Sequence, residues 1–309
     1  MSKPRLAFVF PGQGAQYAGM GKELAENYEA AAMVYAQADE IAGYKLSDLC
    51  FADPEEQLNA TEYAQPALLA TSMAAYEVIK QHGIKPAMMA GLSLGEYSAL
   101  VASGALTFTE ALPLVQTRAR FMQEAVPPGQ GAMAAVMGID SDRVKEACLQ
   151  TGGNVAIANY NCPGQLVISG AREAVLSAIN IIKADGGRAI LLAISVPSHS
   201  TLMSAAAAKL EPYLNSIAWQ EPEVPVISNV NARENGAAQF SELLAQQLFS
   251  PVLWEQSVRY MMAKVDYFIE IGPGSTLSGL IKKIDRNRIL GQAENIKSLE
   301  KILEKVESL

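Results

Sequence analysis

Ser93 stands in Gly91-Leu92-Ser93-Leu94-Gly95-Glu96-Tyr97, with a glycine two positions to either side. A serine bracketed this way can serve as a nucleophile where a buried strand turns sharply into a helix. The glycines tolerate the strained backbone and let other elements approach closely. Ala87-Met88-Met89-Ala90 before it is short and apolar, as a buried strand is. The stretch from Tyr97 towards Leu106 is rich in Ala, Leu and Ser and reads as a helix. The N-terminus of that helix points at the serine and favours negative charge developing beside the hydroxyl. A Gly-x-Ser-x-Gly run in an arbitrary chain is more often a loop; the strand–turn–helix context makes this one a nucleophile elbow.

A serine hydroxyl is a poor nucleophile until a base takes its proton, and that base is most often histidine. The chain has two histidines. His82, in Lys80-Gln81-His82-Gly83, falls at a predicted helix end and reads as a C-terminal residue interacting with the helix dipole. His199, in Val196-Pro197-Ser198-His199-Ser200, follows an apolar strand at a predicted domain junction, where sites assemble. By elimination His199 is the base for Ser93. The acids between them, such as Asp140, Asp142, Glu173 and Asp185, fall on helix or loop positions away from any core strand end. A Ser–acid–His triad is therefore not supported, which leaves a backbone or amide oxygen to orient the imidazole.

Pro11-Gly12-Gln13-Gly14-Ala15-Gln16 follows the first apolar run and invites a nucleotide reading. It fails the dinucleotide fingerprint at Tyr17, where Gly or Ala is needed, and the Walker pattern at Gln16, where Gly is needed. It is either a plain turn or a loop whose N–H groups line a site. In an elbow enzyme one oxyanion donor is the N–H after the nucleophile, here Leu94, and a second comes from another loop. Gln13 is well placed to supply it.

These residues must be held by a fold of sufficient size. The 309 residues are enough for one large domain carrying a smaller one, and half are hydrophobic, so a substantial core forms. A formal charge of −8 and a pI near 5.0 argue against nucleic acid as a partner. Cys50, Cys148 and Cys162 are far apart and odd in number, which suits a reducing compartment and neither a disulfide framework nor a zinc site. Lys3 and Arg5 before Leu6–Phe10 imitate a signal peptide, but the apolar run is too short and reads as a first strand. No apolar stretch reaches membrane-spanning length. The expectation is a soluble cytoplasmic protein, monomeric, with no membrane partner.

Helical patterning runs over 22–41, 65–81 and 109–125, and Pro127-Pro128-Gly129 then marks a boundary. Beyond it, 132–139, 155–159, 165–169 and 188–196 read as strands, with helices over 142–150 and 173–184 between them. That order matches the ferredoxin-like split unit. The fold class expected is α/β: a parallel-sheet, α/β-hydrolase-like core of 1–129 and 196–309, with a ferredoxin-like small subdomain inserted at 130–195.

Several motifs together carry a resemblance. The Pro11–Gln16 loop, Gly91-Leu92-Ser93-Leu94-Gly95-Glu96-Tyr97-Ser98-Ala99-Leu100, Arg118 and Val196-Pro197-Ser198-His199-Ser200 occur in this order. Gln247 through Pro251-Val252 to Trp254, and Glu270-Ile271-Gly272-Pro273-Gly274, follow them. In these motifs the chain resembles the malonyl-CoA:acyl carrier protein transacylases of the stand-alone bacterial type, over essentially its whole length. The resemblance implies that Ser93 is acylated and that His199 is its general base and acid, oriented by the main-chain carbonyl of Gln247. It implies that Arg118 holds the malonyl carboxylate in a two-pronged ion pair, with Met122 lining the same pocket. From the residues alone, Arg118 beside Arg120 reads as a solvated helix face and Met122 as ordinary core. The substrates implied are malonyl-CoA and acyl carrier protein, whose phosphopantetheine arrives with the partner. No permanent cofactor or metal is expected, because the thioester is already activated. The purpose implied is fatty acid biosynthesis; the alternatives are a trans-acting acyltransferase of a polyketide synthase and an acyl-thioester hydrolase.

Two residues depart from relatives. Leu92 stands where many members carry histidine, and Ser198 stands where malonyl-selective members in modular synthases carry phenylalanine. Carrier protein and CoA are both anionic while this chain is acidic, so docking calls for a local basic patch. Lys282, Lys283 and Arg286 form one candidate; a solvated helix end is the other reading.

Overall fold

The computed structural model describes residues 4–194 and 196–309. Nine strands form among the described residues: Leu6–Phe10 (β1), Met88–Gly91 (β2), Gly131–Met137 (β3), Val155–Cys162 (β4), Gln165–Ala171 (β5), Arg188–Leu191 (β6), Val226–Ile227 (β7), Tyr267–Ile271 (β8) and Ile289–Ala293 (β9). They make two sheets. The first has the order β7-β2-β1-β8-β9 and every pairing in it is parallel. The second has the order β4-β5-β3-β6 and is antiparallel throughout. The chain is thus α/β, with a parallel sheet and a separate antiparallel one.

All five residues of β1 are buried, which is why it reads as a continuous apolar run: parallel strands are covered on both faces. Phe8 and Phe10 join the core on one face, beside the helix Thr61–Gln81. Ala7 and Val9 join the other, beside the helices Trp254–Met262 and Thr276–Ile284. The strand lies between β2 and β8, with Phe10 opposite Gly91 and Val9 opposite Glu270. The loop after β1, the turn after β2 and the loop after β8 therefore open on one edge of the sheet. The carboxyl ends of parallel strands, where neighbours lie on either side of the first strand, are the usual place for a ligand crevice.

In the antiparallel sheet, Ala132, Ala134 and Val136 of β3 pack against Val144, Ala147, Val175 and Ile182 of two helices. The opposite face carries a smaller cluster, Met133, Ala158 and Val167. The antiparallel sheet is tied to the loop before the helix Trp254–Met262, where the Tyr160 N–H donates to the Val252 carbonyl at 2.9 Å and the Val252 N–H donates to the Ala158 carbonyl at 2.8 Å.

Several boundaries differ from the sequence expectation. The helical pattern over 22–41 is two helices, Lys22–Asn27 and Glu29–Ala42, because Tyr28 takes an extended conformation between them. The next long helix starts at Thr61, four residues before the expected start, and carries Pro66 inside it. The short helix Leu46–Phe51 was not expected, being too brief to show periodicity. β4 runs on through Cys162, so its hairpin turns at Pro163-Gly164 alone. β6 ends at Leu191; the expected strand over 188–196 includes position 195, and the N-terminal reading includes Lys3, both outside the described residues.

Candidate active site

The turn after β2 shows why both elbow glycines are required. A Cβ on Gly91 would lie 1.8 Å from the carbonyl carbon of Gly95, and one on Gly95 would lie 2.1 Å from the Phe10 carbonyl oxygen. Ser93 itself is held at φ 53°, ψ −105°, a conformation that costs a non-glycine residue of order 1–3 kcal/mol. The helix starts at Leu94, directly after the serine and earlier than the Tyr97 expected. Of its first N–H groups, those of Gly95 and Glu96 donate to the Leu92 and Ser93 carbonyls at 3.0 and 3.1 Å. Among the described residues, the N–H groups of Gln13 and Leu94 have no hydrogen-bond partner, and both residues line the same cavity as Ser93.

That cavity has a volume of about 290 Å³ and lies between the two sheets. Ser93, Arg118, His199 and the loop residue Gln13 form its polar end with Met122 beside them, while Met133, Ala135, Val167, Leu192 and Ile194 of the antiparallel part form an apolar wall. Leu92 and Ser198, the two departures, also line it, so neither an imidazole nor a phenyl ring occupies those positions.

His199 is buried, at φ 59°, and its Nε2 lies 2.8 Å from Ser93 Oγ. Its Nδ1 lies 2.8 Å from the Gln247 carbonyl oxygen. A carbonyl only accepts, so Nδ1 carries the proton and Nε2 is left as the acceptor for the serine hydroxyl. Burial, helped by the nearby Arg118 charge, pushes the imidazole down to about 4 against the opposing pull of its backbone hydrogen bonds. It is neutral at pH 7, the form in which Nε2 can accept a proton. His82 is elsewhere, ending the helix Thr61–Gln81, with its ring edge-on to Tyr28.

Arg118 is 1 % exposed, although it reads from the residues alone as a solvated face. It lies on the helix Phe108–Glu124, which starts at a capping box of Thr107 and Glu110. Ala111, Val115, Arg118 and Met122 are all buried along one stripe of that helix, while Arg120 points out. The guanidinium Nη1 donates to Gln65 Oε1 at 2.5 Å. Nη2 donates to Ser93 Oγ at 3.1 Å and to Gln247 Oε1 at 3.0 Å. Met122 sits beside it, with Gln65 Nε2 3.6 Å from the Met122 sulfur.

Four polar residues of the site had no role assigned from the sequence. Asn229, after β7, accepts from the Ser93 N–H at 2.6 Å and donates to the Gly91 carbonyl at 2.6 Å, clamping the elbow from outside. Gln65 supports Arg118. Glu96, one helical turn past Ser93, is 3 % exposed. Its Oε2 accepts from the Asn229 N–H at 3.0 Å and from Gln247 Nε2 at 2.7 Å. Burial pushes the Glu96 carboxyl up to about 7, although these bonds and the Arg118 charge pull it back. Glu270, at the end of β8, accepts from the Leu277 and Ser278 N–H groups at 3.0 and 2.7 Å. It thereby fixes the N-terminus of the helix Thr276–Ile284, whose Thr276 and Leu280 line the cavity.

That helix ends in the basic segment. Lys282, Lys283 and Arg286 are all exposed. Lys283 Nζ donates to Gln165 Oε1 at 2.6 Å, and Gln165 lines the cavity, so the segment reaches its mouth. Among the described residues no group of three or more His, Cys, Asp or Glu could hold a metal ion, and no helix is long and apolar enough to cross a membrane.

Residues 7–302 match the acyl transferase domain model. A malonyl CoA-acyl carrier protein transacylase of Bacillus subtilis is 49 % identical over 288 residues, covering 91 % of each chain. The crystal structure of a malonyl CoA-acyl carrier protein transacylase from Clostridium perfringens superposes with a TM-score of 0.96 at 44 % identity, covering 98 % of each chain. A type II PKS acyl-carrier protein in complex with its malonyl-transacylase gives 0.95 at 42 % identity, covering 97 % of this chain and 99 % of that one. With its domain model matched almost end to end and relatives this similar over nine-tenths of their length, the chain belongs to the malonyl CoA-acyl carrier protein transacylases of the acyl transferase domain family.

Proposed function

We propose that the chain transfers a malonyl group from malonyl-CoA to the phosphopantetheine thiol of acyl carrier protein through an ester on Ser93, supplying fatty acid synthesis. The observation that carries this reading is the buried guanidinium of Arg118, 3.1 Å from Ser93 Oγ. A fully buried cation beside the nucleophile is matched to an acyl group that brings its own carboxylate.

Ser93 Oγ attacks the thioester carbonyl while His199 Nε2 takes its proton. The oxyanion forms against the N–H groups of Gln13 and Leu94, which are fixed before the substrate arrives. The tetrahedral intermediate collapses, the carbon–sulfur bond breaks, and CoA leaves as a thiol with the proton from His199. The carrier thiol then gives its proton to His199, attacks the Ser93 ester and leaves with the malonyl group, restoring the serine hydroxyl. Met122 packs beside the acyl group, and the apolar wall suits a pantetheine arm. No metal or permanent cofactor takes part in this scheme.

Mass spectrometry of the intact protein after mixing with malonyl-CoA tests the reading. One malonyl group per chain is expected, lost on adding holo carrier protein and absent from Ser93→Ala. Steady release of free malonate without any carrier would instead assign the chain to thioester hydrolysis. The 42 % identical relative paired with a type II PKS carrier favours a second carrier class, with the chemistry unchanged; comparing kcat/KM for carriers of the two pathways separates them.

We further read 130–195 as a ferredoxin-like subdomain on an α/β-hydrolase-like remainder of 1–129 and 196–309, and the protein as a cytoplasmic monomer. The strand orders of the two sheets support the division. Lys282, Lys283 and Arg286 receive the acidic carrier beside the cavity mouth. Reversing the charge of Lys282 and Lys283 together raises the KM for carrier protein by about tenfold and flattens its salt dependence. An unchanged KM would retire this docking site.

A further inference from the structure

Glu96 lies behind the nucleophile and faces Arg118 through a single amide. Gln247 Oε1 accepts from Arg118 Nη2 at 3.0 Å, and Gln247 Nε2 donates to Glu96 Oε2 at 2.7 Å. The amide can turn only one way in this chain: oxygen to the cation, nitrogen to the anion. Gln247 Nε2 also donates to the Ser93 carbonyl at 3.1 Å, and the backbone carbonyl of Gln247 receives His199 Nδ1–H. Through the Asn229 N–H, the same Glu96 oxygen holds the residue that clamps the Ser93 N–H. One carboxylate oxygen therefore ties the nucleophile, the base and the cation together.

We propose that Glu96 is a positioning residue that acts in two separable ways: its hydrogen bonds set Gln247 and Asn229, and its negative charge balances Arg118 until the carboxylate of the acyl group arrives. The inference rests on the malonyl reading above. In the free protein Arg118 is buried, no carboxylate among the described residues lies within salt-bridge distance of it, and the carboxylate one amide away is Glu96. A buried cation without a balancing charge is costly. When a malonyl carboxylate docks on Arg118, two anions share one cation and the burial of Glu96 becomes the unfavourable member. Glu96 then takes a proton from solvent. Its carboxyl is already raised to about 7 by burial. The titratable and charged groups facing it are Arg118 and Tyr97; the Tyr97 hydroxyl, itself raised to about 12, stays neutral near pH 7.

The two roles separate by substitution. The Asn229 N–H and Gln247 Nε2 reach the same oxygen, Oε2, and the Ser228 hydroxyl, which can donate or accept, bonds the carboxyl as well. The amide oxygen in Glu96→Gln can accept both, so this variant keeps the bonds and removes the charge. Glu96→Leu removes both. In Glu96→Gln, KM for malonyl-CoA falls by about fivefold at pH 8, the scale of one charge at this remove in a partly screened interior, and the rise of KM with pH through 7 disappears. The ratio of kcat/KM for malonyl over acetyl, which brings no carboxylate, rises by about fivefold at pH 8. Malonyl loading raises Tm by more in Glu96→Gln than in the wild type. Glu96→Leu lowers kcat for malonyl and acetyl alike. A Glu96→Gln protein with wild-type malonyl KM at every pH, or a Glu96→Leu protein with full acetyl kcat, overturns the inference. If the wild type forms no malonyl ester in the same assay, it is the functional reading that fails instead.

Discussion

Arg118→Ala loses about a thousandfold in kcat/KM for malonyl transfer while acetyl transfer stays within about threefold of wild type, the asymmetry expected when a buried charge partner of one substrate alone is removed. The guanidinium offers five N–H groups. Three are engaged, with Gln65, Gln247 and Ser93 Oγ. The bond to Ser93 Oγ is the one that acylation disturbs, because that oxygen becomes an ester oxygen and a carboxylate is delivered beside it. On the proposed mechanism the free protein thus stores a donor for the carboxylate on Ser93 Oγ. Arg118→Ala also leaves Glu96 without its cation, but a carboxyl already raised to about 7 protonates at little cost near neutrality, so the variant folds. Arg118→Lys retains a charge but lacks the planar fork that spans Gln65 and Gln247, and falls between the two. Parallel kcat/KM measurements with malonyl-CoA and acetyl-CoA check this; equal losses for both would remove the carboxylate role.

How much of this site was legible in the sequence depended on the range over which each signal acts. The elbow is local: two glycines, an apolar strand and a following helix all lie within a few residues of Ser93, and the Cβ clashes at Gly91 and Gly95 show what that spacing is for. His199 was reached because the alternatives were so few. The parallel and antiparallel sheets followed from the alternation of strand and helix patterns, with ends misplaced by a few residues where no cap or breaker marked them. Arg118 is a different case. Beside Arg120 it looked like a solvated face, and only the resemblance gave it a role. The signal was nonetheless present, since Ala111, Val115, Arg118 and Met122 follow helical spacing and Arg120 does not. Asn229 and Glu96 were out of reach. Asn229 follows a strand of two residues that shows no period, and its partners are 136 and 138 positions away in the chain. The Gln247 contact to His199 is made by a carbonyl, which every residue has, so no side-chain pattern can announce it.

His199→Ala lowers both half-reactions by about a thousandfold, for malonyl and acetyl alike, which separates a proton carrier from the acyl-selective effect of Arg118. The pH dependence carries more information than the loss itself. The partner of Nδ1 is a neutral carbonyl, and its pull toward the cation is outweighed by burial and by the Arg118 charge nearby. The imidazole sits at about 4 in the folded protein instead of the usual 6.5. The acid limb of kcat/KM for malonyl-CoA therefore falls well below pH 6. The folded state binds fewer protons at this group than the unfolded chain between about 6.5 and 4. Its contribution to stability is thus present above 6.5 and lost as pH falls through that window, and His199→Gln removes that part of the acid sensitivity. A base this weak suits the reaction. The groups exchanged are an ester oxygen and a thiol whose ordinary pKa is about 8.5, so the sulfur needs little help to leave or to enter. A weakly basic imidazole also makes a strong acid once protonated, and it returns the proton to either leaving group without trapping the cation. An acid limb near 6.5, measured on the free enzyme with malonyl-CoA, would mean that the ring is stabilised as a cation and that the Gln247 carbonyl is not its working partner.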